Sequence, residues 1–89
     1  MSETVQARLD GNAIGGILLE IFGAEMTIAE SVCGSCGSLR EVAELHVYVR
    51  APGIVVRCPG CEAVLMRIVR APGRTWLDLS GLRTLSFEH

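Results

Sequence analysis

The sequence predicts a small, mainly β domain of antiparallel hairpins with one N-terminal α-helix. Three observations predict this fold class. Four cysteines form two C-x-x-C pairs, at 33–36 and 58–61, with 21 residues between the pairs. Downstream of residue 42, short segments alternate apolar and polar side chains and are separated by turn-forming residues. Upstream of the cysteines, apolar residues recur at helical spacing.

The two cysteine pairs read Cys33-Gly34-Ser35-Cys36 and Cys58-Pro59-Gly60-Cys61. A tetrahedral zinc ion binds four ligands, with sulfur at about 2.3 Å. Two residues between cysteines allow a tight turn to direct both thiolates at one point. The 21 intervening residues slightly exceed the roughly 15–20 of a common zinc pattern. We therefore predict one structural zinc ion per chain, bound by Cys33, Cys36, Cys58 and Cys61.

Other uses of four cysteines are less favoured. Disulfides would suit an oxidising compartment, but no basic stretch followed by an apolar run marks a secretory signal. A thioredoxin-like site would use a single C-x-x-C near a βαβ pattern. An iron–sulfur cluster also takes four thiolates and stays a minor alternative.

The cysteine motifs resemble the knuckles of zinc ribbons. The first, C-G-S-C-G, has the usual C-x-x-C-G form, whereas the second, C-P-G-C-E, places Glu62 where glycine is common. The resemblance implies a zinc site at Cys33, Cys36, Cys58 and Cys61. Because of Glu62, we expect the second turn either to be distorted or to close differently. Most of the chain also resembles short bacterial proteins with an N-terminal D-G-N motif, here 10–12, before two C-x-x-C pairs. That resemblance implies no activity.

Length and composition indicate one folded unit. The chain has 89 residues, 49% of them hydrophobic. A core of this size is marginally stable without an additional cross-link, which a bound zinc ion can supply. We expect a disordered tail over 1–9 and a single domain over 10–89. No apolar run approaches the roughly 18 residues of a membrane span, so a cytoplasmic location is expected.

The helix is predicted over about 12–23. Asp10 or Asn12 can cap its first turn, and Gly23 can end it. One apolar stripe runs along it, formed by Ile14, Ile17, Leu18, Ile21 and Phe22. The stripe either packs on the sheet or binds another chain. Packing is favoured, because a small ribbon cannot bury its own apolar face.

The strands are predicted from alternation and turns. Two turns share the sequence V-R-A-P-G, at 49–53 and 69–73, and predict two similar hairpins. The predicted strands are 26–32, 42–50, 54–57, 64–70, 74–79 and 84–87.

Charge is unevenly distributed along the chain. The net charge of −2 divides into −5 for residues 1–44 and +3 for residues 45–89, and every basic residue is arginine. Five arginines surround the hairpins and could form an anion-binding face. The chain has no lysine, and its aromatic residues are not spaced as a stacking platform, which disfavours nucleic acid. The five are Arg50, Arg57, Arg67, Arg70 and Arg74.

Three further side chains are candidates for function. His46 could serve as a metal ligand, but four thiolates already complete a closed shell. Tyr48 and Trp76 could form an interface pair, although a lone tryptophan beside Leu77 is more often core or half-core. No catalytic constellation is evident, so an enzyme is not expected.

These observations lead to three functional hypotheses. The leading one is a structural-zinc module that binds a macromolecule, with a protein as the favoured partner. The second is a nucleic-acid-binding ribbon that uses the arginine face. The third is a thiol-based redox or metal sensor. The sequence does not determine the oligomeric state.

Overall fold

Over the residues that the structure describes, the chain forms two antiparallel sheets and one short α-helix, which confirms the predicted fold class. The computed structural model describes residues 8–50 and 53–89. In chain order the elements are β1 (Leu9–Asp10), a 3₁₀ turn (Gly11–Ile14), α1 (Gly15–Phe22), β2 (Glu30–Cys33), β3 (Leu39–Glu41), a second 3₁₀ turn (Val42–Glu44), β4 (His46–Arg50), β5 (Gly53–Arg57), β6 (Val64–Ala71), β7 (Arg74–Asp78) and β8 (Leu82–Ser86).

The larger sheet has the strand order β1-β4-β5-β6-β7, and the smaller sheet has the order β3-β2-β8. Strands β4 to β7 are neighbours in the chain as well as in the sheet, as expected of consecutive hairpins. In contrast, β8 returns to pair with β2, so that Leu85 lies opposite Ser31. Sequence alternation did not predict this distant pairing.

The predicted helix is present and stops at Gly23 as the sequence indicated, but its α-helical part starts later than residue 12. The Asn12 amide donates to the Asp10 carboxylate at 3.0 Å, which caps the first turn. That turn is 3₁₀, and the α-helix begins at Gly15. The helix ends at Phe22, because Gly23 has φ 71° and donates its amide to the Leu19 carbonyl at 2.8 Å.

The apolar stripe of α1 packs into the chain's own core. Ile14 and Leu18 are each 1% exposed, and the other three stripe residues are half-buried against the same cluster. The Phe22 ring meets Phe87 edge to face, with centroids 5.6 Å apart. Leu19 lies on the opposite side of the helix and is 49% exposed. The favoured interpretation of the stripe, packing on the sheet, therefore holds.

Close backbone packing explains why the D-G-N motif has a glycine at position 11. A Cβ built at this position would lie 1.7 Å from the Val42 carbonyl oxygen and 3.0 Å from the Cα of Ala43. The two 3₁₀ turns therefore touch backbone to backbone at Gly11. Since Asp10 caps the helix and Gly11 permits this approach, the motif has a structural role.

This close approach predicts opposite effects for two glycines of one segment. Gly11→Ala should destabilise the protein by about 1–3 kcal/mol, because backbone atoms must shift to admit the methyl group. Gly16→Ala is the matched control, since a Cβ there meets nothing within 4 Å. Because position 16 is exposed, Gly16→Ala should stabilise the helix by about 0.5–1 kcal/mol. Denaturant unfolding measures the change in unfolding free energy for both variants. A Gly11→Ala protein as stable as the parent would contradict the close packing of the two turns.

Several predicted boundaries are corrected by the structure. The strand predicted over 26–32 begins only at Glu30, because the chain turns at Thr27 and Ile28 and the Ala29 amide bonds to the Met26 carbonyl. The strand predicted over 42–50 begins only at His46, since a capping box at Glu41 and Glu44 favours a 3₁₀ turn.

The remaining corrections concern the termini and turns. Leu9, placed in the predicted tail, instead pairs with Val47 in β1, while residues 1–7 lie outside the described part of the chain. The last strand begins at Leu82, before the predicted 84. The second A-P-G turn is present between β6 and β7, whereas residues 51 and 52 of the first lie outside the described residues.

Within the described residues, no helix is long and apolar enough to cross a membrane.

The core lies between the helix, the smaller sheet and one face of the larger sheet. On that inner face, alternate residues of β4, β5 and β6 are at most 9% exposed, except Val49 near the end of β4, which is 48% exposed. The side chains between them point to the opposite side, which we call the outer face. The inner-face residues are Val47, Ile54, Val56, Met66 and Ile68.

Candidate metal centre

Each cysteine pair lies in the loop of a hairpin. Cys33 ends β2, and Cys36 follows in the turn that leads to β3. Cys58 follows β5, and Cys61 precedes β6. The two hairpins belong to different sheets, so a shared ion would connect the two layers of the fold.

The two turns close in the same way. The Gly37 amide donates to the Cys33 carbonyl at 2.9 Å, and the Glu62 amide donates to the Cys58 carbonyl at 2.8 Å. Gly37 has φ 77°, and Glu62 has φ 68°. The distortion expected from Glu62 is therefore absent. Instead, Glu62 adopts the left-handed conformation, which costs a non-glycine residue about 1–2 kcal/mol.

Two side chains lie beside Glu62, and one of them is hydrogen-bonded to its backbone. Arg57 Nη1 donates to the Glu62 carbonyl at 2.8 Å. His46 Nδ1 lies 3.7 Å from the Glu62 carboxylate. Arg57 therefore bonds to backbone directly after Cys61. This bond stabilises a turn in which a non-glycine residue is disfavoured.

The four sulfur atoms converge on one point. All four lie within 4.8 Å of one another, with 3.7 Å from Cys33 to Cys61 and 3.7 Å from Cys36 to Cys58. A tetrahedron with metal–sulfur bonds of about 2.3 Å has edges of about 3.8 Å. A disulfide needs about 2.05 Å, and all four cysteines are free. The geometry therefore fits a metal ion bound by four thiolates.

Backbone amides point at the sulfurs from inside the turns. Cys33 Sγ accepts from the amides of Ser35 and Cys36 at 3.3 and 3.4 Å. Cys58 Sγ accepts from the Gly60 amide at 3.3 Å. The Ser38 hydroxyl lies between the two pairs, 3.3 Å from Cys36 Sγ and 3.5 Å from Cys58 Sγ. The amide donors stabilise the thiolate form of a cysteine.

The thiols differ in how readily they ionise. Burial disfavours the Cys58 thiolate, but Ser38 and the nearby amides outweigh this and lower the pKa of Cys58 to about 6. Hydrogen bonds from Ser38 also lower the pKa of Cys36. The Ala63 amide favours the Cys61 thiolate, yet desolvation and the neighbouring sulfurs raise its pKa to about 11. Four thiolates this close together need a cation, which is the chemistry of a metal site.

One cysteine of each pair is buried and the other is exposed. Cys33 is 2% exposed and Cys58 is fully buried, whereas Cys36 and Cys61 lie on the surface. The buried two belong to the same core cluster as the helix stripe. The site is thus continuous with the core on one side and open to solvent on the other.

Sequence analysis missed two residues beside the sulfurs. Ser38 bridges the pairs, and the Arg40 guanidinium lies against the second turn, 3.6 Å from a Cβ built at Gly60. Both follow the first C-x-x-C pair, but nothing in the sequence shows that the second pair folds onto them.

The other sequence candidates lie outside the cluster of sulfurs. Among the described residues, the group that could hold a metal ion consists of the four cysteines, without His46. Trp76 is not core or half-core as favoured, because it is 51% exposed. Arg70 is separated from the other hairpin arginines and pairs with Glu20 of α1 at 3.0 Å.

Comparison with known proteins gives one match. A model described as a family of unknown function (DUF6510) matches residues 3–89. The chain belongs to the DUF6510 family. No curated protein and no solved structure matches it.

For this DUF6510 member, the family assignment names no reaction and no ligand. The structure adds a cluster of four cysteines that can hold a metal ion on a small two-sheet domain. Function must therefore be argued from this site and from the surfaces around it.

Proposed function

We propose that the protein is a small, non-catalytic module in which a structural zinc ion fixes the fold and an exposed surface binds another macromolecule. The observation that carries the proposal is the arrangement of the four sulfurs, with two separations of 3.7 Å. Four protein ligands complete the shell of zinc, whereas a catalytic zinc keeps a position for water. The resemblance of the knuckles to zinc ribbons supports the same assignment.

The position of the site supports a structural role for the metal. It joins a hairpin of the smaller sheet to a hairpin of the larger one, and two of its ligands are core residues. A domain of this size gains much of its stability from such a link, since structural zinc contributes about 10–16 kcal/mol in small zinc domains. Reduced thiols suit a reducing compartment, so we assign the protein to the cytoplasm.

The surface away from the metal site suits binding rather than catalysis. The outer face of the larger sheet is open, with Trp76 51% exposed. Exposed aromatic and arginine side chains on a rigid sheet are typical of interaction surfaces.

Metal analysis of purified protein tests the zinc assignment. We expect one zinc ion per chain, because the four sulfurs form a single site. The measurement is elemental analysis of folded, reduced protein, with visible absorption to detect iron bound by thiolates. Folded protein without metal, or with iron in place of zinc, would overturn the assignment.

A further inference from the structure

The outer face of the larger sheet is defined by three rows of paired residues. Opposite residues of antiparallel strands point to the same side, so the strand register gives the composition of the face directly. The first row is Tyr48, Val55, Arg67 and Asp78; the second is Arg50, Gly53, Val69 and Trp76; the third, nearest the metal site, is His46 and Arg57.

Positive charge predominates on this face. Four arginines lie on it, because Arg74 shares the side of Trp76 by alternation along β7. The acids beside them are Asp78, 3.9 Å from Arg67, and Glu62, beside His46. The whole chain nevertheless has a net charge of −2. Acidic residues are therefore concentrated elsewhere, and the face is a local basic surface on an acidic protein.

Two aromatic side chains lie among these arginines. Trp76 is 51% exposed, and the Arg74 guanidinium lies over its ring at 4.8 Å from the centroid. Tyr48 lines a groove of about 370 Å³ with Arg50, Val55 and Arg57. Tyr48 and Trp76 stand on strands three apart, which separates them laterally by about 14 Å. An extended strand of a few nucleotides spans this distance.

We propose that this outer face binds single-stranded nucleic acid. Bases stack on Trp76 and Tyr48, and the guanidinium groups of Arg67 and Arg74 bind the phosphates between them. The inference rests on the proposed function, since it names the partner class of the binding module.

The composition of the face favours this partner over a protein. The centre of a protein–protein interface is typically depleted of charged residues. Here the aliphatic side chains, Val55 and Val69, are only half-buried and have charged or aromatic residues opposite them. Duplex DNA hides the faces of its bases from an aromatic ring. A flexible polyanion with exposed bases matches both the charge and the rings.

Fluorescence of the zinc-loaded full chain tests the proposal directly. Trp76 is the only tryptophan, so its emission reports on the face itself. The probes are mixed-sequence DNA and RNA single strands of about 12 nucleotides, within the site sizes of known single-strand binders. We expect saturable quenching of Trp76 and a rise in the anisotropy of a labelled strand, both weaker at about 200 mM than at about 50 mM salt.

Matched variants distinguish binding at the outer face from non-specific electrostatic attraction to the protein. Arg67→Gln with Arg74→Gln should weaken binding and reduce the salt slope by about 1.4, since each lost phosphate contact contributes about 0.7. Arg70→Gln with Arg83→Gln removes the same charge away from the face and should leave the slope unchanged. Trp76→Ala should weaken binding about tenfold, measured by anisotropy.

Zinc content and thermal unfolding of each variant are measured first, so that a folding failure is not scored as lost binding. If the folded protein contains no zinc, the proposed function is refuted. If the zinc-loaded protein does not bind the single strands, this inference alone is refuted. Equal weakening by both arginine pairs would overturn the assignment to the outer face. Equal or tighter binding of a labelled hexaglutamate peptide would indicate an acidic protein partner and would overturn the nucleic-acid assignment.

Discussion

Cys58→Ser is expected to abolish metal binding and to unfold the domain. Cys58 is fully buried, and its sulfur contacts the Cys36 sulfur and the Ser38 hydroxyl. A serine hydroxyl does not ionise near neutral pH, so only three thiolates would remain. Structural zinc contributes about 10–16 kcal/mol in small zinc domains, which matches or exceeds the total stability of about 5–15 kcal/mol typical of a domain.

Circular dichroism and metal content measure this result together. The control is Ser35→Ala, which also changes a few atoms of a cysteine turn but leaves all four sulfurs and the backbone donor of Ser35 in place. The control should keep one metal ion and a cooperative melt. A Cys58→Ser protein that melts like the parent would show that the apolar core is sufficient without the metal.

Leu18→Ala is expected to destabilise the protein by about 2–5 kcal/mol, the range for emptying a core leucine site. Leu18 is 1% exposed in the cluster that joins α1 to both sheets. The short helix, interrupted by glycines at its start, gains its stability mainly from this packing.

Leu19→Ala is a stringent control, because it makes the same chemical change one position away. Leu19 is 49% exposed, so its truncation should change stability by at most about 0.5 kcal/mol. Denaturant unfolding of the two variants under identical zinc concentrations gives the comparison. Equal losses would mean that Leu19 is covered in solution, which sedimentation at several concentrations would reveal as self-association.

The sequence was sufficient to predict those parts of the fold that depend on local spacing. The spacing of Ile14 and Leu18 predicted a buried helical stripe, and Gly23 predicted its end. The alternation in β4 to β7 predicted two hairpins. Two cysteine pairs predicted that four side chains would meet, and the structure places their sulfurs within 4.8 Å.

Features that depend on contacts distant in the chain could not be predicted in this way. The pairing of Ser31 with Leu85 leaves no periodic signal, because either strand alone is a short, irregular segment. The position of Ser38 between the two cysteine pairs depends on how the hairpins meet. Trp76, a lone tryptophan beside Leu77, was predicted to be core or half-core. The register of β6 and β7 places it on the outer face instead.

The positions of the aromatic residues on one surface could not be predicted from local patterns either. Tyr48 and Trp76 lie far apart in sequence, so they did not resemble a stacking platform. Four antiparallel strands bring them onto one surface with Arg67 and Arg74. This arrangement is the basis of the proposed nucleic-acid surface.

The position of β2 in the smaller sheet has a consequence for biosynthesis. Its neighbour β3 follows at once through the first cysteine turn, but its other neighbour, β8, is made only after β4 to β7. Leu82 lies 21 positions beyond Cys61. At about 5–20 residues per second, a ribosome needs about 1–4 s to cover that distance. All four thiols therefore leave the ribosome before β8 does. A nascent chain that captures zinc in this interval holds β2 in place while one of its edges is still unpaired and able to join a strand of another chain.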